Sequence, residues 1–181
     1  MDSKALHRAV GGLLTRICPR GCTLVLDKDC GGDQHVPLFV SRDSHRYTAC
    51  CKVDALLFDP DGVRAVVEVE ESNLRPTQLC GKLLTTALAT VYCHRRHNVI
   101  PMSRSVLFVQ VLDPSRLKRN TAKLKQAQKL GDAISELLPL KRGSVTRYQP
   151  VWAVASTLVV NSGPGKQLFE AIRSHLSTSP G

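Results

Sequence analysis

The sequence predicts an α/β domain in which a mixed central β-sheet is flanked by helices. Three observations carry that prediction. Residues 52–70 hold two apolar runs on either side of the turn residues DPDG, a strong hairpin signal. Beyond them, helical and extended patterns alternate along the chain. The run RSVLFVQVL at residues 104–112 is apolar on both faces, as in a strand covered from both sides.

Each element has its own signal. In residues 3–17, Leu6, Val10, Leu13, Leu14 and Ile17 recur at helical spacing, closed by Pro19 and Gly21. TLVLD at 23–27 reads as a short strand. Residues 28–46 are rich in Gly, Asp and charge and read as an irregular loop with one strand, VPLFV. Tyr47–Phe58 and Val63–Glu70 are the hairpin strands; Pro60 presets the turn and Asp61-Gly62 permits positive φ. Residues 76–94 follow a helical pattern, with Pro76 suited to a first turn. The strand at 104–112 precedes an amphipathic helix at 120–138, where Leu124, Ala127, Ile134 and Leu138 share a face. Residues 145–157 read as a strand, and 164–176 as a last helix opened by Pro164. A hairpin followed by helix–strand alternation makes a mixed sheet between helices. One domain over residues 1–181 is expected, with a loose tail at 177–181.

Composition narrows the class. A 43% hydrophobic and 22% charged chain folds as a globule. No apolar run reaches the roughly 18 residues that span a bilayer, and MDSKALHRAV does not read as a signal peptide, so a cytoplasmic protein is expected. The seven cysteines are odd in number and fall within element patterns, as free thiols in a reducing compartment do. Cys18, Cys22 and Cys30, with His35, do not have the spacing of a regular zinc site. The net charge of +10 points to a polyanionic partner, above all nucleic acid. At 4% aromatic residues, recognition of single strands by base stacking is disfavoured.

The hairpin carries the chemistry. Side chains alternate along a strand, so Glu68 and Glu70 share one face, and Lys52 and Asp54 share one on the partner strand. A turn centred on Pro60-Asp61 pairs residues whose numbers sum to about 121 or 122, which sets Asp54 near Val67 or Glu68. Two carboxylates that close repel unless a cation or proton lies between them. A hard, oxygen-seeking divalent ion such as Mg²⁺ answers that need. The bland alternative is a sheet face open to water, with Glu70 and Glu71 at the solvated end of an edge strand.

Asp54, thirteen residues, then Glu68-Val69-Glu70 on the second strand of a hairpin resembles the PD-(D/E)XK nuclease superfamily. The helix PTQLCGKLLTTALATVYCHRR and the strand SVLFVQV that follow continue its αβββαβ core order, over roughly residues 1–115. The resemblance implies a restriction-endonuclease-like fold and a metal-dependent endodeoxyribonuclease. It also implies Mg²⁺, with Mn²⁺ as a substitute, held by Asp54, Glu68, the Val69 carbonyl and Glu70. Two positions depart from the pattern. Val53 stands where Pro is common, and Glu70 stands where the usual Lys would be, leaving the role of that Lys to Lys52 first or Lys82 second. The N-terminal helix offers only Asp2 where many relatives carry an acidic ligand. A dimeric type II restriction endonuclease on double-stranded DNA is the first expectation. A repair or recombination nuclease and an inactive nucleic-acid-binding module stay open, as does an unrelated, metal-free basic α/β protein.

Basic residues suggest where DNA would lie. Arg42, His45 and Arg46 precede the Asp54 strand in a polar loop able to reach a groove. Arg95, Arg96 and His97 end the helix after the hairpin. Of the basic residues from Arg116 to Lys129, Lys118, Lys125 and Lys129 fall on one side at helical spacing, as a phosphate-tracking or simply solvated face.

Overall fold

Residues 4–43, 46–71, 74–94, 98–117, 121–141 and 143–178 are described in the computed structural model. They form α1 (Ala5–Ile17), β1 (Thr23–Leu26), β2 (Pro37–Phe39), β3 (Ala49–Lys52), β4 (Ala55–Asp59), β5 (Gly62–Glu70) and α2 (Pro76–Leu88). Then follow β6 (Val91–His94), β7 (Asn98–Leu112), α3 (Thr121–Leu137), β8 (Val145–Trp152) and α4 (Gly163–Leu176). The fold is α/β, with a mixed eight-stranded sheet flanked by the four helices.

The central part runs β1-β4-β5-β7, with β8 beyond β7. The pairs β1/β4 and β4/β5 are antiparallel, whereas β5/β7 and β7/β8 are parallel. Parallel neighbours need a crossover, and α2 and α3 lie in the two that are required here. The start of β7 leaves this sheet and pairs antiparallel with β6, which pairs with β2 and so with β3. Strand β7 is thus shared by two sheet halves.

Alternation along β5 sorts the core. Ala65, Val67 and Val69 pack with Leu107, Val109 and Val111 against Leu6, Val10 and Leu14 of α1 and Leu168 and Ile172 of α4. On the other face, Val66 and Phe108 meet Leu83 and Ala87 of α2 and Ile134 of α3. Each large apolar side chain so buried adds about 1.5–3 kcal/mol. The hairpin register contains both expected sums: Ala55 faces Val67, and after a bulge Phe58 faces Val63. The turn needs its glycine, since Gly62 has φ +113° and a Cβ there would lie 2.4 Å from the Pro101 carbonyl oxygen.

Four boundaries differ from expectation. Tyr47–Phe58 is not one strand: β3 belongs to the outer sheet half and β4 to the central one, and the chain steps between them at Val53-Asp54. The helix expected over 76–94 stops at Leu88, because the strand formers Val91 and Tyr92 open β6, with Thr90 just before them. The strand expected from residue 104 begins at Asn98, and β8 ends at Trp152 rather than 157. Among the described residues, no helix is long and apolar enough to cross a membrane.

Candidate active site

The break between β3 and β4 places Asp54 just beyond the paired end of the hairpin. Its backbone is held on both sides by the loop from β1 to β2. The Asp27 N–H donates to the Asp54 carbonyl at 2.8 Å, and the Val53 N–H donates to the Val36 carbonyl at 3.0 Å. The Asp54 carboxylate then accepts a 2.7 Å hydrogen bond from the Val69 N–H through Oδ2. In a strand, one residue's N–H and C=O lie on the same edge, so the Val69 carbonyl faces the same side as Asp54.

Glu68 and Glu70 share the face that Val66 uses to meet α2. Both are buried, at 1% and 3% exposure, because β5 is an internal strand between β4 and β7 and not an edge. What they meet there is Lys82, whose Nζ is 2.6 Å from Glu68 Oε2 and 2.7 Å from Glu70 Oε1. One helical turn earlier, Gln78 Nε2 donates to Glu70 Oε2 at 2.6 Å. Positions four apart stack on one helix face, so α2 presents an amide and an ammonium to two carboxylates. Below them, Gln110, paired with Glu68 across β5/β7, donates to the Leu79 carbonyl and accepts from the Tyr148 hydroxyl.

A histidine set among carboxylates closes the other side. His7 of α1 is buried; its Nδ1 is 3.2 Å from Glu71 Oε2 and its Nε2 is 3.8 Å from Asp54 Oδ1. The Glu71 carboxylate also accepts from the Leu6 N–H. Glu71 is therefore not a solvated strand end: the Leu6 N–H anchors one carboxylate oxygen, and the other lies beside His7 Nδ1 without a hydrogen bond to it.

The electrostatics are those of a site short of positive charge. Asp54, Glu68, Glu70 and Glu71 converge on Lys82 and His7. Burial pushes the Glu68 carboxyl well above the usual carboxylate range; Lys82 opposes that shift, and the neighbouring Asp54 adds to it. Burial alone would lower the Lys82 ammonium, but Glu68 and Glu70 hold it well above its ordinary value. Among the described residues, no three or more His, Cys, Asp or Glu side chains close into a metal cage. Mg²⁺ needs none, since it keeps several waters and takes one or two carboxylates. Asp54 and Glu68 fit that donor set, with the Val69 carbonyl on the same edge as the Asp54 carboxylate.

Of the residues the sequence singles out, Asp54, Glu68, Val69, Glu70 and Lys82 come together. Lys52, ranked first for the ammonium, does not join them: it is exposed at the end of β3 and lines a separate hollow with Lys28 and His35. Arg42 and Arg46 are exposed in the connection from β2 to β3, and Lys125 and Lys129 are exposed on α3. Asp2, His45, Arg95, Arg96, His97, Lys118 and Arg119 lie outside the described residues. Two site residues, Gln78 and His7, escape a reading of the sequence, and a third, Glu71, is read there only as a solvated strand end. Gln78 stands four before Lys82, a spacing that links them once one is suspected. His7 is a polar residue within the apolar stripe of α1, and Glu71 follows directly on the Glu-Val-Glu triplet. Comparison of the chain with protein-family models, with curated proteins and with solved structures finds no significant match.

Proposed function

We propose that the chain is a Mg²⁺-dependent endonuclease of double-stranded DNA, hydrolysing phosphodiester bonds at the Asp54–Glu68–Glu70 cluster. The observation that carries this reading is Lys82, which supplies an ammonium to both Glu68 and Glu70. The PD-(D/E)XK resemblance lacks a Lys at position 70, and α2 brings one to that carboxylate from outside the motif. With β2, β3 and β6 set aside as additions in the outer sheet half, the remaining elements α1-β1-β4-β5-α2-β7 follow the αβββαβ form that the resemblance implies. The net charge of +10 on a chain whose cluster is acidic supports a polyanion held by the surrounding surface.

In this reading Asp54, Glu68 and the Val69 carbonyl hold the ion. Bound Mg²⁺, or Mn²⁺ in its place, supplies a polarised phosphoryl oxygen, a stabilised leaving oxyanion and a more acidic water. The chain's own groups do the rest. Glu70, fixed by Gln78, orients the attacking water and accepts its proton. Lys82 offsets negative charge developing on the phosphorus centre. The buried His7 ring lies between the Glu71 and Asp54 carboxylates. A dimeric restriction endonuclease, cutting both strands, is the first form of this activity; a repair or recombination nuclease is the second.

Plasmid DNA incubated with wild type, Asp54→Ala and Glu68→Ala, in Mg²⁺ and in EDTA, tests the proposal. Cleavage by wild type in Mg²⁺ alone, lost in both variants, is expected. No cleavage by wild type, or cleavage that survives both substitutions, overturns it. Discrete fragments indicate restriction, and cutting confined to branched substrates indicates repair.

A further inference from the structure

Lys52 leaves the acid cluster for a hollow of its own. The hollow has a volume of about 520 Å³ and is lined by Lys28, Asp33, Gln34, His35 and Lys52, with Cys93 of β6 at its wall. Its size falls within the roughly 300–1,000 Å³ of small-molecule sites. Its lining combines two ammonium groups with a carboxylate, an amide and an imidazole, drawn from the β1–β2 loop and the end of β3.

The walls are built rather than draped. The loop turns back on itself through Gly31 N–H to Lys28 O at 3.2 Å and Gly32 N–H to Asp27 O at 2.7 Å. Asp27 Oδ1 accepts from the Cys30 N–H at 2.9 Å, and the Asp27 and Gln34 backbones form a bridge. Gly32 admits no side chain, since a Cβ there would lie 1.9 Å from the Leu26 carbonyl oxygen. Cys30 and Val36, at 3% and 0% exposure, anchor the loop in the core. The same loop grips the backbone on both sides of Asp54, through Asp27 and Val36.

That attachment fixes the distance between hollow and acids. Lys52 and Asp54 are two residues apart, so their Cα atoms are at most about 7.6 Å apart at ~3.8 Å per residue. Successive phosphates along one strand are separated by about 3.4 Å of helix axis or more. A strand whose phosphate lies at Asp54 therefore has Lys52 within reach of a phosphate one or two nucleotides away.

We infer that this hollow seats one nucleotide of the substrate strand next to the scissile phosphate. Lys28 and Lys52 hold its phosphate, and Asp33 and Gln34 meet the hydrogen-bonding edge of its base. The carboxylate argues for more than a phosphate, because an anion alone gains nothing from Asp33. Carboxylates accept from the amino group of cytosine, and amides pair with adenine, so these two residues bias which base is accepted. Lys52 on this account acts on substrate placement and not on the chemical step. The inference rests on the nuclease reading for the identity of the strand, but not for the hollow's own ligand.

Titration of the protein in EDTA with dAMP, dCMP, dGMP, TMP and inorganic phosphate, followed by backbone amide NMR, tests it without any cleavage. Mononucleotides should shift amides at residues 28–36, 52 and 93, and should differ among themselves. Lys28→Gln and Lys52→Gln should each weaken all four by about tenfold, one charge-assisted hydrogen bond apiece. Asp33→Ala with Gln34→Ala should flatten the differences among them. Lys125→Gln with Lys129→Gln, an equal loss of charge on α3, should change nothing here. No shift at the hollow, or the same shifts from inorganic phosphate alone, overturns the inference. Nucleotide binding at the hollow in a protein that never cleaves DNA would sink the nuclease reading and leave this one standing. In a cleaving protein, Lys52→Gln should raise KM and leave kcat unchanged.

Discussion

The ammonium of Lys82 and the carboxylate of Glu68 meet at 2.6 Å, with the glutamate 1% and the lysine 29% exposed. Breaking a buried pair from one side strands the other charge, at a cost of about 3–5 kcal/mol. Lys82→Met should therefore lose at least about 3 kcal/mol in urea unfolding at pH 8, as well as plasmid cleavage. Lys82→Arg, which keeps the charge, should recover most of the stability. A loss below about 1 kcal/mol for Lys82→Met would mean the pair behaves as a screened surface contact.

Asp54 and Glu68 repel when no cation separates them. Asp54→Asn keeps an oxygen for the Val69 N–H while removing one charge. In EDTA this variant should be more stable than wild type, by about 1 kcal/mol. Wild type should gain about 2.7 kcal/mol in Mg²⁺ at 100 times its Kd, and Asp54→Asn should gain far less. Equal gains in both proteins would show that the ion binds elsewhere.

Gly62 closes the hairpin with φ +113° and its Cα hydrogens against the Pro101 carbonyl. Gly62→Ala adds both backbone strain and a clash, and should cost about 2–4 kcal/mol by chemical denaturation. Gly12→Ala, in α1 where a Cβ meets nothing within 4 Å, is the control and should be neutral or stabilising.

His175 ties α4 to the sheet, its Nε2–H donating to the Ser105 carbonyl at 3.1 Å. Burial lowers its pKa, and the nearby Arg64 and Arg147 charges lower it further. A base with a depressed folded pKa is stabilising when neutral, so its contribution is full above the ordinary value of about 6.5. As pH falls below that value the unfolded chain takes up the proton first, and stability declines until the folded pKa is reached. Unfolding free energy should therefore drop as pH falls below about 6.5, and His175→Gln should flatten that slope. A slope unchanged by the substitution would assign it to other groups.

The hairpin and its acids were legible because they rest on local rules. DPDG sets the register, and period-two alternation puts Glu68 and Glu70 together. The ammonium was not, because Lys52 and Asp54 look like neighbours on one strand only while that strand is unbroken. The chain changes sheets at Val53, a tertiary event with no residue signature. Lys82 becomes the partner through the crossover of α2, which no strand periodicity encodes. Strand β6 escaped for a similar reason: Val91 and Tyr92 continue the apolar spacing of α2, and only pairing with Phe39 and Ile100 separates them from it.

The loop that grips Asp54 on both sides makes the site a property of the whole fold. A peptide of residues 52–72 carries Asp54, Glu68 and Glu70, yet it has neither Lys82 nor the backbone partners at Asp27 and Val36 that fix Asp54. Such a hairpin transplanted onto another scaffold would bring its repulsion without its compensation. Transfer of the chemistry therefore requires three pieces moved in register: the hairpin, the turn of α2 holding Gln78 and Lys82, and the glycine loop behind Asp54.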